Sequence, residues 1–286
     1  DSPMSAWITA LILMTPTSIS DCALAMVAPL GFAACAEGDT SGPGPNPTAT
    51  VAGVVSAAGG AAIEGASVRI GLVVADTANP RGLTRSDYAR FGAMYDTLLY
   101  PVVTEHFGEP ATMNGERRMV IFYTRAVNEL TPSGSDSYVG GFFFNRDLFP
   151  KSGTNGCAGS NEAEMFYMLV PDPNGEVNGN VRGKNFVRDR TYSVLAHEFQ
   201  HLINDSRRLY ENDALVWEES WLNEGLSHIA EELTFYATSG LSPRSELNGP
   251  ALRGSNLAAF ERYQGVNTSR YASYLRRPAA HAKKEK

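Results

Sequence analysis

Basic residues are missing from the start of this chain: the earliest one is Arg69. Over the whole sequence Asp and Glu (31) outnumber Lys and Arg (24), and the net charge of −7 gives no basic footprint for nucleic acid. Cysteine is scarce. Cys22, Cys35 and Cys157 are too few and too scattered for a disulfide scaffold, and Cys157 stands alone in the C-terminal part, so no disulfide is expected there. Long apolar runs are also lacking. Trp7 to Met14 and Cys22 to Ala36 are short of the roughly 20 residues a membrane-spanning helix needs, and Pro16 and Pro29 interrupt them. What remains is an ordinary soluble composition, 43% apolar and 19% charged, which suits one substantial domain with accessory segments.

Residues 1–36 are small and apolar and read as an export segment, though without the basic n-region such segments carry. Phe32-Ala33-Ala34-Cys35 resembles the lipobox of bacterial lipoproteins, which implies membrane anchoring through a lipidated Cys35; cleavage of a plain secretory signal is the alternative. Residues 37–50 are Gly, Pro, Ser, Thr and Asn with two acids and suit a flexible linker. Residues 51–75 read as two strands about the Gly59-Gly60 turn, a partial β-sandwich-like segment. Residues 76–286 form the expected catalytic domain.

Within that domain a helix is predicted from about Asp87, capped by Thr84 or Ser86, with Tyr88, Phe91, Tyr95 and Leu98 at helical spacing and Pro101 as its end or kink. Arg118–Thr124, Tyr138–Phe144 and Glu164–Val170 read as strands. Asp172 to Asn180 places oxygen-bearing side chains at alternate positions, as calcium loops do, but its Asn-Gly steps are ordinary turn chemistry, so a plain loop is expected.

The chemistry concentrates in His197-Glu198-Phe199-Gln200-His201. On a helix the two histidines lie one turn apart on the same face, so two imidazoles reach one metal ion. Glu198 then stands beside the metal, where its carboxylate takes a proton from an activated water. Thr191–Asn204 reads as that helix, with Thr191 or Asp189 as cap. Tyr192, Leu195, Phe199 and Leu202 form an apolar stripe that the histidines avoid. A catalytic zinc needs a third protein ligand. Glu224, in Trp221-Leu222-Asn223-Glu224-Gly225 on a second helix expected from about Asp213 to past Tyr236, is the best candidate. Leu222, Leu226, Ile229 and Leu233 are the expected buried stripe of that helix, with Glu218, Glu219, Glu231 and Glu232 in solvent.

An HExxH motif followed by a ligating glutamate resembles the gluzincin clan of zinc peptidases. The longer words Trp221 to Leu233 and Ser160 to Tyr167 resemble the hyicolysin-type neutral metallopeptidases of bacteria. The resemblance implies an α+β, zincin-like domain, in which a twisted sheet packs on the HExxH helix and a glutamate-bearing helix follows. It also implies one catalytic Zn²⁺ on His197, His201 and Glu224, with Glu198 as general base, and a protein or peptide substrate bound along an edge strand. Gluzincins take a donor to the tetrahedral oxyanion from a Tyr or His after the third ligand; Tyr271, Tyr274 and His228 are the candidates here, with His228, one turn after Glu224, and Tyr271 alternatively supporting the ligands, His228 by a hydrogen bond to a ligating carboxylate. The resembled family carries a longer C-terminal part. The expected function is therefore an exported zinc endopeptidase. The alternatives are a catalytically inactive surface-binding or adhesion lipoprotein, and a zinc hydrolase acting on other bonds.

Overall fold

The computed structural model describes residues 72–75, 82–113, 119–135, 137–153, 156–214 and 216–278. The export-like segment with Cys35, the linker at 37–50, most of the β-rich segment at 51–75 and the last residues of the basic tail lie outside these.

The described chain is α+β. Four short strands, β1 (Leu72–Ala75), β2 (Val120–Tyr123), β3 (Gly141–Phe143) and β4 (Met165–Met168), form one sheet in the order β1-β2-β4-β3. β1, β2 and β4 run parallel, and β3 lies antiparallel to β4 at one edge. On one face Ile121, Tyr123, Phe166 and Met168 are buried. On the other, Phe142 stacks on its cross-strand partner Tyr167, with ring centroids 4.8 Å apart.

The buried face packs on two helical layers. α1 (Arg85–Met94) opens on Thr84, whose hydroxyl accepts from the Asp87 N–H while the Asp87 carboxylate accepts from the Thr84 N–H. Pro101 was expected to end or kink this helix. Instead Tyr95–Leu99 widen into a π-turn, in which the Tyr100 N–H reaches the Tyr95 carbonyl, and α2 (Tyr100–Phe107) continues the run. Proline has no N–H to donate and its ring crowds the carbonyl four residues back; the wider turn makes room for it.

α4 (Lys184–Tyr210) follows the short α3 (Arg125–Glu129) and the sheet, and it is longer than its apolar stripe suggested. No Gly or Pro interrupts it. It starts after Gly183, so Thr191 is no cap: its hydroxyl bonds back to the Val187 carbonyl at 2.9 Å. Tyr192, Leu195, Phe199 and Leu202 are all buried, as their spacing predicts. Phe199 sits 5.2 Å from the rings of both Tyr95 and Tyr100 and 6.3 Å from Phe166, so it joins α4 to α2 and the sheet. Burying such a ring contributes about 1.5–3 kcal/mol.

The second site helix, α5 (Ser220–Ser239), starts later than expected. Asp213 takes a left-handed φ of 46°, which a helix start does not tolerate, and the segment before α5 is held instead by Arg208, bonded to Glu218 at 2.9 Å. Glu218 is thus an ion-pair partner and not a freely solvated charge. The buried stripe is also corrected. Leu222, Leu226 and Leu233 are half-buried and Ile229 is 47% exposed, whereas Asn223, Ser227, Ala230, Glu231, Thr234 and Phe235 face inward. α6 (Ser255–Tyr263) and α7 (Gly265–Arg276) close the chain; α7 had no counterpart in the sequence reading.

Two smaller outcomes complete the fold. The Asp172 carboxylate accepts from the N–H groups of Glu176 and Val177 at 2.9 and 2.8 Å, so it organises its own loop. Cys157 is disulfide-bonded, against expectation.

Candidate metal centre and active site

The site lies where α4 and α5 cross beneath the edge strand β3. The seam between the helices is polar along its length. The Asn204 amide donates to Asn223 at 2.9 Å, the Ser227 hydroxyl to the Gln200 side chain at 2.7 Å, and Nδ1 of His201 meets Ser227 Oγ at 3.0 Å. This inward face of α5 is polar because its partners on α4 are polar. An unmatched buried group costs about 1–3 kcal/mol, so the two helices are complementary only in this register.

His197 and His201, both buried, stand one turn apart with ring centroids separated by 4.8 Å. Glu224, half-buried on α5, reaches toward both: its oxygens lie 3.4 Å from Nε2 of His197 and 3.7 Å from Nε2 of His201. The donor atoms of the three residues fall within 4.8 Å of one another. Ligands about 2.0–2.1 Å from a tetrahedral zinc sit roughly 3.3 Å apart, close to the two nitrogen-to-oxygen spacings here. The Nε2 of His197 is buried with no hydrogen-bond partner. An orphaned ring nitrogen aimed at a carboxylate is what a metal ligand presents in the absence of its ion, so the three residues fit a cation.

The far sides of the rings support the same assignment. Nδ1 of His197 donates to Glu231 Oε1 at 2.8 Å, which leaves Nε2 with its lone pair free for the metal. Nδ1 of His201 is the ring atom closer to Ser227, with the same effect. Glu231, expected in solvent, is therefore buried at the heart of the site and also accepts from Nδ1 of His228 at 2.7 Å. A signal was present: Glu231 is one turn past Ser227 and two past Glu224, on the ligand-bearing face. The stripe of leucines pointed the other way.

Glu198 is buried beside the histidines, and its Oε2 accepts from the Phe143 N–H of β3 at 2.8 Å. Burial above all, with Glu224 and Glu231 nearby, lifts its carboxyl to about 7 against the pull of His197 and the Phe143 N–H. Burial also works against charge on His197, but Glu224, Glu231 and Glu198 outweigh it and push its pKa upward. Glu224 is held below the usual range: burial raises it, and the two ligand-type histidines more than offset that. The pocket thus places three carboxylates around one centre and draws in positive charge, whether a proton or a metal.

Of the candidates after Glu224, His228 lines the cleft and stands behind the site as a hydrogen-bond partner of Glu231. Both nitrogens of His228 are engaged, Nδ1 with Glu231 and Nε2 with the Arg270 guanidinium. Tyr271 is 64% exposed on α7 and Tyr274 44%, and neither lines the cleft. The residues of α7 that do line it are Val266 and Arg270.

β3 fixes the floor. Adding a Cβ at Gly141 would bring it within 2.8 Å of the Tyr167 carbonyl and of the Val194 side chain on α4. Only glycine lets the edge strand lie this close to the helix that carries the histidines. Above the strand opens a cleft of about 100 Å³.

No family model matches this chain. It is 29% identical over 196 residues to the neutral metalloprotease ShpI of Staphylococcus hyicus, an alignment that takes in 68% of this chain and 41% of that protein. The chain thus spans about two fifths of that relative's length. That relative is named as a metalloprotease, and His197, His201 and Glu224 are a group that could hold a metal ion in this chain.

Proposed function

We propose that this chain is a zinc-dependent endopeptidase of zincin type, with His197, His201 and Glu224 as ligands and Glu198 as general base. The observation that carries the reading is the convergence of three donors on one point, with the Nε2 of His197 left unpartnered there. The relative's name, a neutral metalloprotease, supports the same class. When bound, zinc supplies a Lewis acid that polarises the scissile carbonyl and makes water a stronger acid.

The protein's own groups do the rest. Glu198 has one oxygen tied to the Phe143 N–H and the other left to accept the proton of the attacking water. A pKa lifted toward neutrality lets it take that proton and hand it on to the leaving amine. Glu231 and Ser227 keep both histidines in the tautomer that offers Nε2. Along β3, Gly140 bonds inward to Leu169 of the neighbouring chain segment, so Gly141 turns its backbone groups outward, toward an extended peptide. The composition of residues 1–36 supports action outside the bacterial cytoplasm, either secreted or anchored through Cys35.

The test is hydrolysis of casein by the purified chain, with metal content measured in parallel. One zinc per chain is expected, with activity lost to 1,10-phenanthroline and to Glu198→Gln. Stoichiometric zinc with no cleavage of any protein or peptide overturns the peptidase reading in favour of a binding protein or of a hydrolase for other bonds.

A further inference from the structure

Charge is not spread evenly over the cleft. Its acids, Glu198, Glu224 and Glu231, gather at the histidine end, and each has work there: Glu224 faces the two ligand-type rings, Glu231 accepts from His197 and His228, and Glu198 accepts from Phe143. The other walls carry Arg190 on α4, Arg262 on α6 and Arg270 on α7. A divalent cation at the histidines offsets two of the negative charges and leaves the cleft positive. Of the three arginines, Arg270 also lies in the field of Glu224 and Glu231.

Arg270 is tied directly to a side chain of the site. It donates to Nε2 of His228, whose Nδ1 is fixed by Glu231, and the His228 ring lies 4.7 Å from that of His197. Asn267, one turn earlier on α7, donates to the His228 carbonyl at 3.1 Å and pins that helix to α5. A guanidinium has five donors in a planar fork. One contact to an imidazole leaves most of that fork for a planar anion, and a carboxylate is the anion whose two oxygens match it. Arg262 lies over the Tyr192 ring at 5.1 Å, and its ion-pair partner Asp189 is at the 4.0 Å limit of such a contact, on a side chain that is 56% exposed. That exposed pairing holds Arg262 only weakly.

We propose that this cleft selects peptides with a carboxylate side chain, glutamate or aspartate, next to the cleaved bond, and that Arg270, positioned by His228, is its principal reader, with Arg262 and Arg190 adding to the field. This rests on the peptidase reading above. The carboxylate lies against α6 and α7 while the backbone of the same peptide runs along β3. His228 is thus a positioning residue that connects the reader of the substrate to the metal ligand His197 through Glu231.

The experiment uses the full chain loaded with zinc and a set of fluorogenic peptides, identical except for Glu, Gln or Lys on either side of one cleavable bond. Wild-type kcat/KM is expected to favour Glu over Gln by about ten-fold, the value of one charge-assisted hydrogen bond, and to reject Lys. The preference falls as salt rises. Arg270→Met brings the Glu peptide down to the Gln peptide, Arg270→Lys restores part of the difference, and Arg270→Glu turns the preference toward Lys. Binding of the same peptides to the zinc-loaded Glu198→Gln variant, followed by fluorescence anisotropy, separates the two readings. Tighter binding of the Glu peptide that Arg270→Met removes, without cleavage by the wild type, sustains the specificity and overturns the peptidase assignment alone. Equal rates and equal affinities for Glu and Gln peptides, or no measurable binding of either, overturn the proposal.

Discussion

Glu231 holds His197 from behind: its Oε1 lies 2.8 Å from the His197 Nδ1, and both side chains are buried. The imidazole can therefore rotate only by breaking a charge-assisted bond in a dry environment. Glu231→Ala is expected to weaken zinc binding by about 10–100-fold, with Glu231→Gln in between because it keeps the acceptor and loses the charge. Competition against a chromophoric chelator measures this; an unchanged affinity would mean that Glu231 only fills space.

Glu198 is close to both histidines but is reserved by β3, through the Phe143 N–H. Glu198→Gln should therefore cost catalysis about 10²–10⁴-fold while zinc content stays at one per chain. The base is active as the carboxylate, and its pKa lies above the ordinary 4.5, near 7. Activity accordingly falls as pH drops. A bound cation favours the carboxylate, so the acid limb of kcat/KM lies at or below about 7. A limb that stays in place in Glu198→Asp and in zinc-exchanged enzyme would assign it to another group.

Gly141 is the tightest point between the sheet and α4. A methyl group there meets the Tyr167 carbonyl and the Val194 side chain at 2.8 Å. Gly141→Ala is expected to cost about 1–3 kcal/mol of stability, as overpacking does, and to move Phe143 off Glu198. Paired denaturant curves and peptide kinetics check this. A drop in kcat larger than the loss of folded protein marks the misplaced base.

Asp205 is buried on α4, one turn past His201, with Oδ1 unpartnered and Oδ2 accepting from Asn145 at 3.1 Å. Burial lifts its pKa from 3.8 to about 7, against the pull of Asn145 and Arg208. Below pH 3.8 both folded and unfolded chains hold the proton and the group is neutral to stability. As pH rises from there toward 7 only the unfolded chain releases it, so folded stability falls; above 7 the penalty is complete. Asp205→Asn should therefore match the parent in Tm near pH 4 and exceed it increasingly up to about pH 7, then by a constant margin. Equal melting temperatures at every pH would refute the buried charge.

Much of the site was legible because helices are local. A four-residue spacing sets His197 and His201 on one face whatever surrounds them, and Thr84 with Asp87 makes its cap from groups three residues apart. The apolar stripe of α4 named its buried side for the same reason. The three predicted strands were likewise found, each shorter than its apolar run, because pairing stops where the neighbouring strand ends.

What the tertiary structure decided was which way α5 and α7 face. Periodicity assigns the apolar side of a helix to the interior, and that rule inverts where the interior is a polar seam. Leu222, Leu226, Ile229 and Leu233 yield the inside to Asn223, Ser227 and Glu231, whose partners Asn204, His201 and His197 sit on another helix 19, 26 and 34 residues earlier. Arg270 rather than Tyr271 enters the cleft because neighbouring residues on a helix point about 100° apart, and only the packing of α7 on α5 chooses between them. Spacing along the chain could place the proposed metal ligands; the carboxylate behind them and the arginine opposite depend on contacts between helices, which no local pattern records.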